Sequence, residues 1–382
     1  MIQGLYICHS SYDKKNNTGI YKKIKSQIDM FNRMGILCEE YIQKSGRENK
    51  TDIIGKIVHR LPFSNTVPKW EYDKIFENMD YIYMRRPRVI NLAMKRVLYK
   101  IKKNNPHIKI IMELPTYPYD HEFKRIWDYS LLLIDRYNRK RLKGFVDCLT
   151  VISGEKKIDS IWNIKTIPFI NGYDANRITP KHTAKNQDGA IHLICVACFS
   201  EWHGYERLIS GLADYYKNGG YTNFVIDMVG EGPELKKYKN LSKKKELENK
   251  VIFWGKVLGK ELDLLYDMAD FAVTGLGWYK EGFNVVGDLK SREYMAKGIP
   301  IISGSSVDVF QQKPFRYICE FPNNSQKIDF QIIDQFYHKI YDGIETRDKI
   351  TRNIRNYAIE NVSMDVVMKD IVNYIKDAGE GR

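Results

Sequence analysis

The chain has 382 residues, too many for one ordinary core and enough for two domains. Hydrophobic residues at 43% and aromatics at 13% exclude a disordered chain, and no apolar run approaches the roughly 18 to 20 residues of a membrane-spanning helix. The net charge of +14 is one-sided: residues 1–180 hold 33 Lys and Arg against 19 Asp and Glu, while the remainder balances at 28 each, so the first half is expected to meet an anionic partner.

The first half reads as alternating strands and helices. LYICHS is a strand, TGIYKKIKSQIDMFNRMG an amphipathic helix stopped by Gly35, and ILCEEYI a second strand. YIYMRRP follows, then a helix from Asn91 to Lys103, the strand IKIIMEL, a long helix from Asp128 to Lys143, the strand CLTVIS and the closing segment TIPFINGYD. The stretch from 174 to 190 is polar and aperiodic, which sets a linker at 176–189 between domains at 1–175 and 190–363. The first strand starts without a basic segment before it, so no signal peptide is expected and a cytoplasmic location follows. Basic clusters at Arg85, Arg86 and Arg88, at Lys95 to Lys103, and at Arg136 to Lys143 offer a surface for a phosphorylated acceptor or an anionic membrane. A lysine-rich solvated surface is the plain alternative. A nucleic-acid partner would need a recognised motif beside the charge, and none is present.

The second half restarts with IHLICVACFS, then the helix YERLISGLADYY, the strand FVIDMVG, the turn EGPE, a lysine-rich helix, the strand VIFWGKV, the helix ELDLLYDMA and the strand DFAVTGL. After IPIISG an irregular portion is expected, then a tail helix from about 365 to 376 that crosses back onto the first domain. The six cysteines form no disulfide framework, and Cys195 and Cys198, though spaced C-x-x-C, fall in an apolar run that reads as a buried strand. No Asp-x-Asp pair or zinc spacing calls for a metal.

The most informative stretch is Gly275 to Ile302. Glycines at 275, 277, 282 and 287 make a loop feeding a short helix, opened by Asp288 and closed by Gly298, before an apolar strand. Free backbone N–H groups and the helix dipole favour an anion there. Lys290 and Glu293 share one face of that helix, so a cation for a diphosphate and a carboxylate for ribose hydroxyls can reach one ligand. An ordinary i,i+3 ion pair on a solvated face is the rival reading.

LKSREYMAKGIPII resembles the Lys-x-x-Glu-Tyr-Met-Ala-x-Gly-x-Pro signature of nucleotide-sugar glycosyltransferases of the GT-B fold, of the retaining family 4 type. The resemblance implies an α/β fold of two Rossmann-like doubly wound domains facing a central cleft. FINGYD is similar to the family's Asn-Gly-hydrophobic-Asp element, MVGEGPE with Gly230 to its Gly-x-Gly-Pro-Glu turn, and VIFWGKV with Phe253 to the strand that receives the nucleotide base. ICVACFSEWHGYERLI stands where the family has its phosphate-binding strand and loop, with Cys198 at the usual arginine and His203 at the usual lysine. The resemblance then implies that Lys290, Arg207 and Arg292 carry the diphosphate charge, helped by His203, Gly204, Gly277, Gly282 and Ser291, with Glu293 on the ribose. The family's second acidic residue, eight positions before Glu293, is Val285 here; Glu281 is the nearest carboxylate and is expected at the donor sugar. Asn17, Thr18 and Gly19 resemble the family's first glycine loop. MELPTYPYDHEF resembles a segment of some bacterial polysaccharide glycosyltransferases, which implies Glu113 as a donor-sugar contact beside Asp120, His121 and Glu122.

The implied activity is transfer of a sugar from a nucleotide sugar, a UDP-sugar first, to a glycan or a lipid-pyrophosphate-linked acceptor in bacterial surface polysaccharide synthesis, retaining and metal-independent, with no cofactor beyond the donor itself. The rivals are a degenerate homologue acting as a non-catalytic binding partner and a nucleotide-sugar epimerase.

Overall fold

The computed structural model describes residues 2–9, 19–43, 70–123, 125–153, 158–183, 186 and 188–380. The chain divides into two compact units, one of residues 1–170 with 367–382 and one of residues 171–366.

The first unit is built on a seven-stranded sheet in the order β2-β1-β3-β4-β5-β7-β6. Its strands are β1 (Gln3–His9), β2 (Leu37–Gln43), β3 (Tyr81–Arg85), β4 (Lys109–Leu114), β5 (Cys148–Ile152), β6 (Ser160–Ile161) and β7 (Ile164–Phe169). All pair in parallel except the short β6. The crossover helices are α1 (Gly19–Arg33), α2 (Leu92–Asn104) and α3 (Tyr129–Arg139). Asn91 caps α2 by accepting from Met94 N at 2.9 Å, which satisfies one of the N–H groups the first turn leaves open. Parallel strands are covered on both faces, which is why they read as near-continuous apolar runs. Ile82 and Met84 of β3 with Ile110 and Met112 of β4 pack beneath Met94, Leu98 and Ile101 of α2.

The second unit carries a six-stranded sheet in the order β10-β9-β8-β11-β13-β15 and a two-stranded pair, β12 with β14. Its strands are β8 (Ile191–Val196), β9 (Phe224–Val229), β10 (Val251–Gly255), β11 (Phe271–Val273), β12 (Val285–Val286), β13 (Ile301–Ser303), β14 (Ser306–Val307) and β15 (Ile318–Glu320). The helices are α4 (Tyr205–Lys217), α5 (Leu235–Lys244), α6 (Lys260–Met268), α7 (Leu289–Lys297), α8 (Asp308–Gln312), α9 (Phe330–Tyr341), α10 (Arg347–Val362) and α11 (Met364–Val367), whereas α12 (Lys369–Glu380) belongs to the first unit.

Four expectations are corrected here. The segment expected as a linker at 176–189 is packed into the second unit, and the division falls between 170 and 171. Two of its residues reach helix ends, while Asn176, Thr179 and His182 stay exposed: Lys181 is buried, with its backbone N–H on Lys297 O at 2.9 Å, and Asn186 donates to Met268 O at 2.7 Å. The portion expected to be irregular after IPIISG holds α9 and α10. The helix expected from Asp128 to Lys143 is shorter, since short 3-10 turns precede α3 and the chain turns at Lys140. Cys198 lies beyond the end of β8 and is exposed, whereas Cys195 is buried in the strand.

Candidate functional site

In the second sheet the chain steps from β8 outward to β9 and β10, then returns through α6 to β11 on the other side of β8. The loops leaving the carboxyl ends of β8 and β11 therefore diverge, and such a switch point is where open α/β sheets take ligands.

The loop after β8 is shaped by the turn after β9. Ala197 N donates to Val229 O at 2.9 Å and Phe199 N to Glu231 O at 2.7 Å. Gly230 sits at φ 131°, and a Cβ there would lie 1.9 Å from Ala197 O, so only glycine permits this approach. The loop then runs into a 3-10 turn, Glu201–His203, whose Ser200 N donates to His203 Nδ1 at 2.9 Å. The same Nδ1 lies 3.2 Å from Ser200 O, so the ring can bond either backbone group of Ser200 according to its tautomer. Burial, then the Lys290 charge, pushes the His203 pKa down to about 3, so the ring is neutral and keeps one N–H to donate.

The loop after β11 packs on this one backbone to backbone. Leu276 N donates to His203 O at 2.8 Å and Gly277 N to Trp202 O at 3.1 Å. Gly204 adopts φ 59°, and a Cβ on it would lie 2.6 Å from Gly277 N. Trp202 and Trp278 stack, their centroids 6.4 Å apart, and the Trp278 indole N–H is buried without a partner among the described residues.

The loop then delivers α7. Asp288 caps it by accepting from Ser291 N at 3.1 Å, and Gly298 ends it, as the sequence predicts. Asn171 donates to Gly287 O at 2.6 Å, so the FINGYD segment holds the backbone just before the helix. Lys290, in the first turn, is half-buried and makes no hydrogen bond or ion pair among the described residues. Burial pushes its ammonium down to about 8, against the pull of Asp288, Cys195, Cys198 and Glu293. Glu293 accepts from Tyr266 of α6 at 3.0 Å and is hydrogen-bonded by Tyr173. Both phenols are pushed up by burial and by this carboxylate, which keeps them protonated.

Of the expected residues, the structure brings His203, Gly204, Gly277, Lys290 and Glu293 to this switch point. Others have different work. Arg207, expected on the diphosphate, is buried: its guanidinium donates to Leu276 O, to Gln326 O at 2.5 Å and to Pro322 O at 2.9 Å, so it ties loops together. Arg292 is also buried, paired with Asp308 and bonded to Asn171 O at 3.2 Å and Ser291 Oγ at 2.9 Å. Ser291 uses its hydroxyl on Asp288 O and Arg292. Glu281 ends the 3-10 turn Trp278–Glu281, and the exposed Gly282 follows it as a cap. Val285 pairs with Ser306 between β12 and β14. Phe253 lies on the edge strand β10, with Lys239 5.7 Å above its ring.

In the first unit Gly19 opens α1, while Asn17 and Thr18 fall outside the described residues. Glu113, expected at the donor sugar, is instead fully buried in β4. It accepts from Gln27 at 2.7 Å, Tyr83 at 2.8 Å and Arg85 at 2.9 Å, with Lys23 at 3.5 Å. Burial alone would raise its pKa; Lys23, Arg85 and the hydrogen bonds outweigh it and hold the carboxyl below its ordinary value. Asp120 pairs with Arg136 and Arg139, each at 2.6 Å, and Glu122 with Arg86 at 2.5 Å. Part of the expected basic clustering is therefore internal pairing. Among the described residues no group of three or more His, Cys, Asp or Glu could hold a metal ion. Sequence reasoning missed Tyr266 as a partner of Glu293 and the Trp202–Trp278 stack; only their tryptophans, at the switch-point loops, carried a signal.

Two doubly wound units of mainly parallel sheet, with a switch-point site in the second, define the class: an α/β protein of the GT-B glycosyltransferase fold. Residues 177–356 match the family Glycosyl transferases group 1. A curated relative, alpha-monoglucosyldiacylglycerol synthase of Streptococcus pneumoniae, is 26% identical over 117 residues, which span 31% of this chain and 25% of that protein. Among solved structures, sucrose-phosphate synthase from Thermosynechococcus elongatus superposes with a TM-score of 0.64 at 14% identity over 100% of both chains. A glycosyltransferase from Rickettsia africae gives 0.61 at 14% identity, covering 100% of this chain and 99% of the other. Anabaena HepE, in complex with UDP and glucose, gives 0.59 at 13% identity over 99% and 100%. The family match places a group 1 glycosyltransferase domain over residues 177–356, and the solved structures agree with it in fold.

Proposed function

We propose that the chain is a retaining, metal-independent glycosyltransferase that moves a sugar from a UDP-sugar to a glycan or lipid-pyrophosphate-linked acceptor at the anionic inner face of a membrane, in surface polysaccharide synthesis. The observation that carries the donor half is the meeting of an unpaired cation, Lys290, with the neutral His203 donor and the tyrosine-held Glu293 at one switch point. As the bond from the sugar C1 to the diphosphate oxygen breaks, its electron pair stays on the diphosphate. Lys290, the His203 N–H and the first turn of α7 then face the developing charge. Glu293 would hold the ribose hydroxyls, a choice favoured by its being one turn from Lys290 on the same helix. UDP as the nucleotide is favoured by the UDP and glucose held by Anabaena HepE, and a lipid acceptor by the relative named for a glucosyldiacylglycerol.

The test is release of UDP from a panel of UDP-sugars, with and without EDTA, by wild type, Lys290→Ala and Glu293→Ala. The proposal expects release by wild type that survives EDTA and is lost in both variants. No release from any donor by folded wild type would make the chain a non-catalytic homologue.

A further inference from the structure

The outer surface of α2 and α3 is not used by the donor chemistry. Strands β3, β4 and β5 are successive neighbours, so right-handed crossovers place α2 and α3 side by side on one face of the first sheet. Two contacts agree: Asp135 of α3 accepts from Ile90 N, just before α2, at 2.8 Å, and the Tyr99 ring of α2 meets Phe145 edge-on at 6.4 Å.

From α3 a row of large apolar side chains points to solvent: Tyr129 is 61% exposed, Leu133 43% and Tyr137 58%, and Ile126, in the preceding turn, is 88% exposed. Their i,i+4 spacing puts the three helical members on one stripe. Leu92 and Tyr99 of α2 extend the apolar area. Exposed cations are interleaved with them, Arg96, Lys100 and Lys103 on α2 and Lys140, Arg141 and Lys143 after α3. Lys100 lies 4.0 Å over the Tyr72 ring and feels the Glu77 carboxylate, while the other five have no carboxylate partner among the described residues. Helix α2 contains no acid, and the one acid of α3, Asp135, is fully buried.

We propose that this face docks the first unit onto an anionic lipid bilayer. Cations without competing acids complement anionic headgroups, tyrosines suit the headgroup level, and the aliphatic Ile126, Leu133 and Leu92 suit the acyl boundary. A single-stranded nucleic acid would favour aromatic platforms and gain little from three exposed aliphatics. Among the described residues no helix is long and apolar enough to cross a membrane, so the attachment is interfacial. The inference deepens the membrane part of the proposed function. It is read by lipid binding alone, so it can fail while the donor site stands.

The experiment is flotation of the full chain with vesicles of phosphatidylcholine, and of phosphatidylcholine and phosphatidylglycerol in equal parts. Two triple variants are compared: Tyr129→Ser with Leu133→Ser and Tyr137→Ser, and Lys140→Glu with Arg141→Glu and Lys143→Glu. Circular dichroism and UDP binding check that each is folded. The proposal expects wild type to bind only the anionic vesicles, and the charge variant to bind them on the order of a hundred-fold more weakly. The apolar variant is expected to lose retention at high salt. No binding by wild type, or variants that bind as wild type does, would overturn it. So would competition by single-stranded oligonucleotide, or loss in the variants of a dimer seen by sedimentation, each of which assigns the face to another partner.

Discussion

Tyr266 on α6 donates its phenolic hydrogen to Glu293 on α7 at 3.0 Å, joining two helices whose residues lie 27 apart in sequence. The bond orients the carboxylate proposed for the ribose before any ligand arrives. Removing the hydroxyl leaves the acid in place but lets it turn. Tyr266→Phe is therefore expected to cost roughly 1.5 to 3 kcal/mol of stability, the worth of one hydrogen bond to a charged group, and to weaken UDP binding several-fold by letting the carboxylate turn. Titration calorimetry beside a thermal melt measures both.

Lys290 and Arg207 are both cations placed by the sequence in the donor site, and the structure separates them. Arg207→Ala leaves the carbonyls of Leu276, Pro322 and Gln326 without their donor, so a stability loss of roughly 3 kcal/mol is expected. UDP affinity of the folded fraction should change only a few-fold. Lys290→Ala should do the reverse: an unchanged melting temperature and lost UDP binding. Denaturant melts with calorimetry on the two variants distinguish these roles, and Arg207→Ala that melts like wild type but binds no UDP would restore Arg207 to the diphosphate.

Gly204 tests the backbone contact between the two switch-point loops. Gly204→Ala combines a left-handed conformation with a Cβ that collides with Gly277 N. It is expected to cost about 2 kcal/mol or more and to remove UDP binding even where the protein remains folded. Gly282, also at positive φ but with nothing nearby, should tolerate alanine at the strain cost alone.

Two histidines predict opposite pH dependence of stability. His192 lies between Asp227 at 2.8 Å and Asp188 at 2.9 Å; burial would lower its pKa, but the two carboxylates raise it to about 9. Its folded state binds the proton more tightly than the unfolded state, so its contribution is complete below about 6.5 and is lost as pH rises through about 9. His203, held near 3, contributes stability that is complete above about 6.5 and lost as pH falls toward 3. Urea melts of wild type and His192→Gln across pH should show the upper dependence vanish in the variant. For ligand, Lys290 at about 8 implies that UDP binds more weakly as pH rises through that value, since the neutral amine no longer opposes the diphosphate.

What the sequence made legible was local. The Asp288 cap, the Gly298 stop and the strand after it are set within a dozen residues, and the structure has each where the pattern puts it. The alternation of strands and helices was readable for the same reason. The partners of side chains were not: Glu113 reads as a loop acid until Gln27, Tyr83 and Arg85 arrive from α1 and β3 to bury it. Arg207 reads as a phosphate ligand until carbonyls from 115 and 119 residues away enclose it. Helices α9 and α10 were missed: α10 is mostly polar, so its apolar period runs weak, whereas α9 is rich in aromatic and β-branched residues of low helix propensity although it buries Phe330, Ile333, Phe336 and Ile340 at helical spacing. The expected linker was misread because Lys181 and Asn186 tie it to helix-end carbonyls, contacts that leave no periodic trace.

The central claim is that the second unit holds a nucleotide diphosphate through Lys290 and Glu293. Its most direct test is calorimetric titration of UDP and GDP, without metal, into wild type and Glu293→Ala. The account predicts that UDP binds wild type and that the variant loses on the order of a hundred-fold in affinity, the loss of paired hydrogen bonds to a carboxylate. Binding of neither nucleotide to folded wild type, or equal binding by the variant, would contradict it.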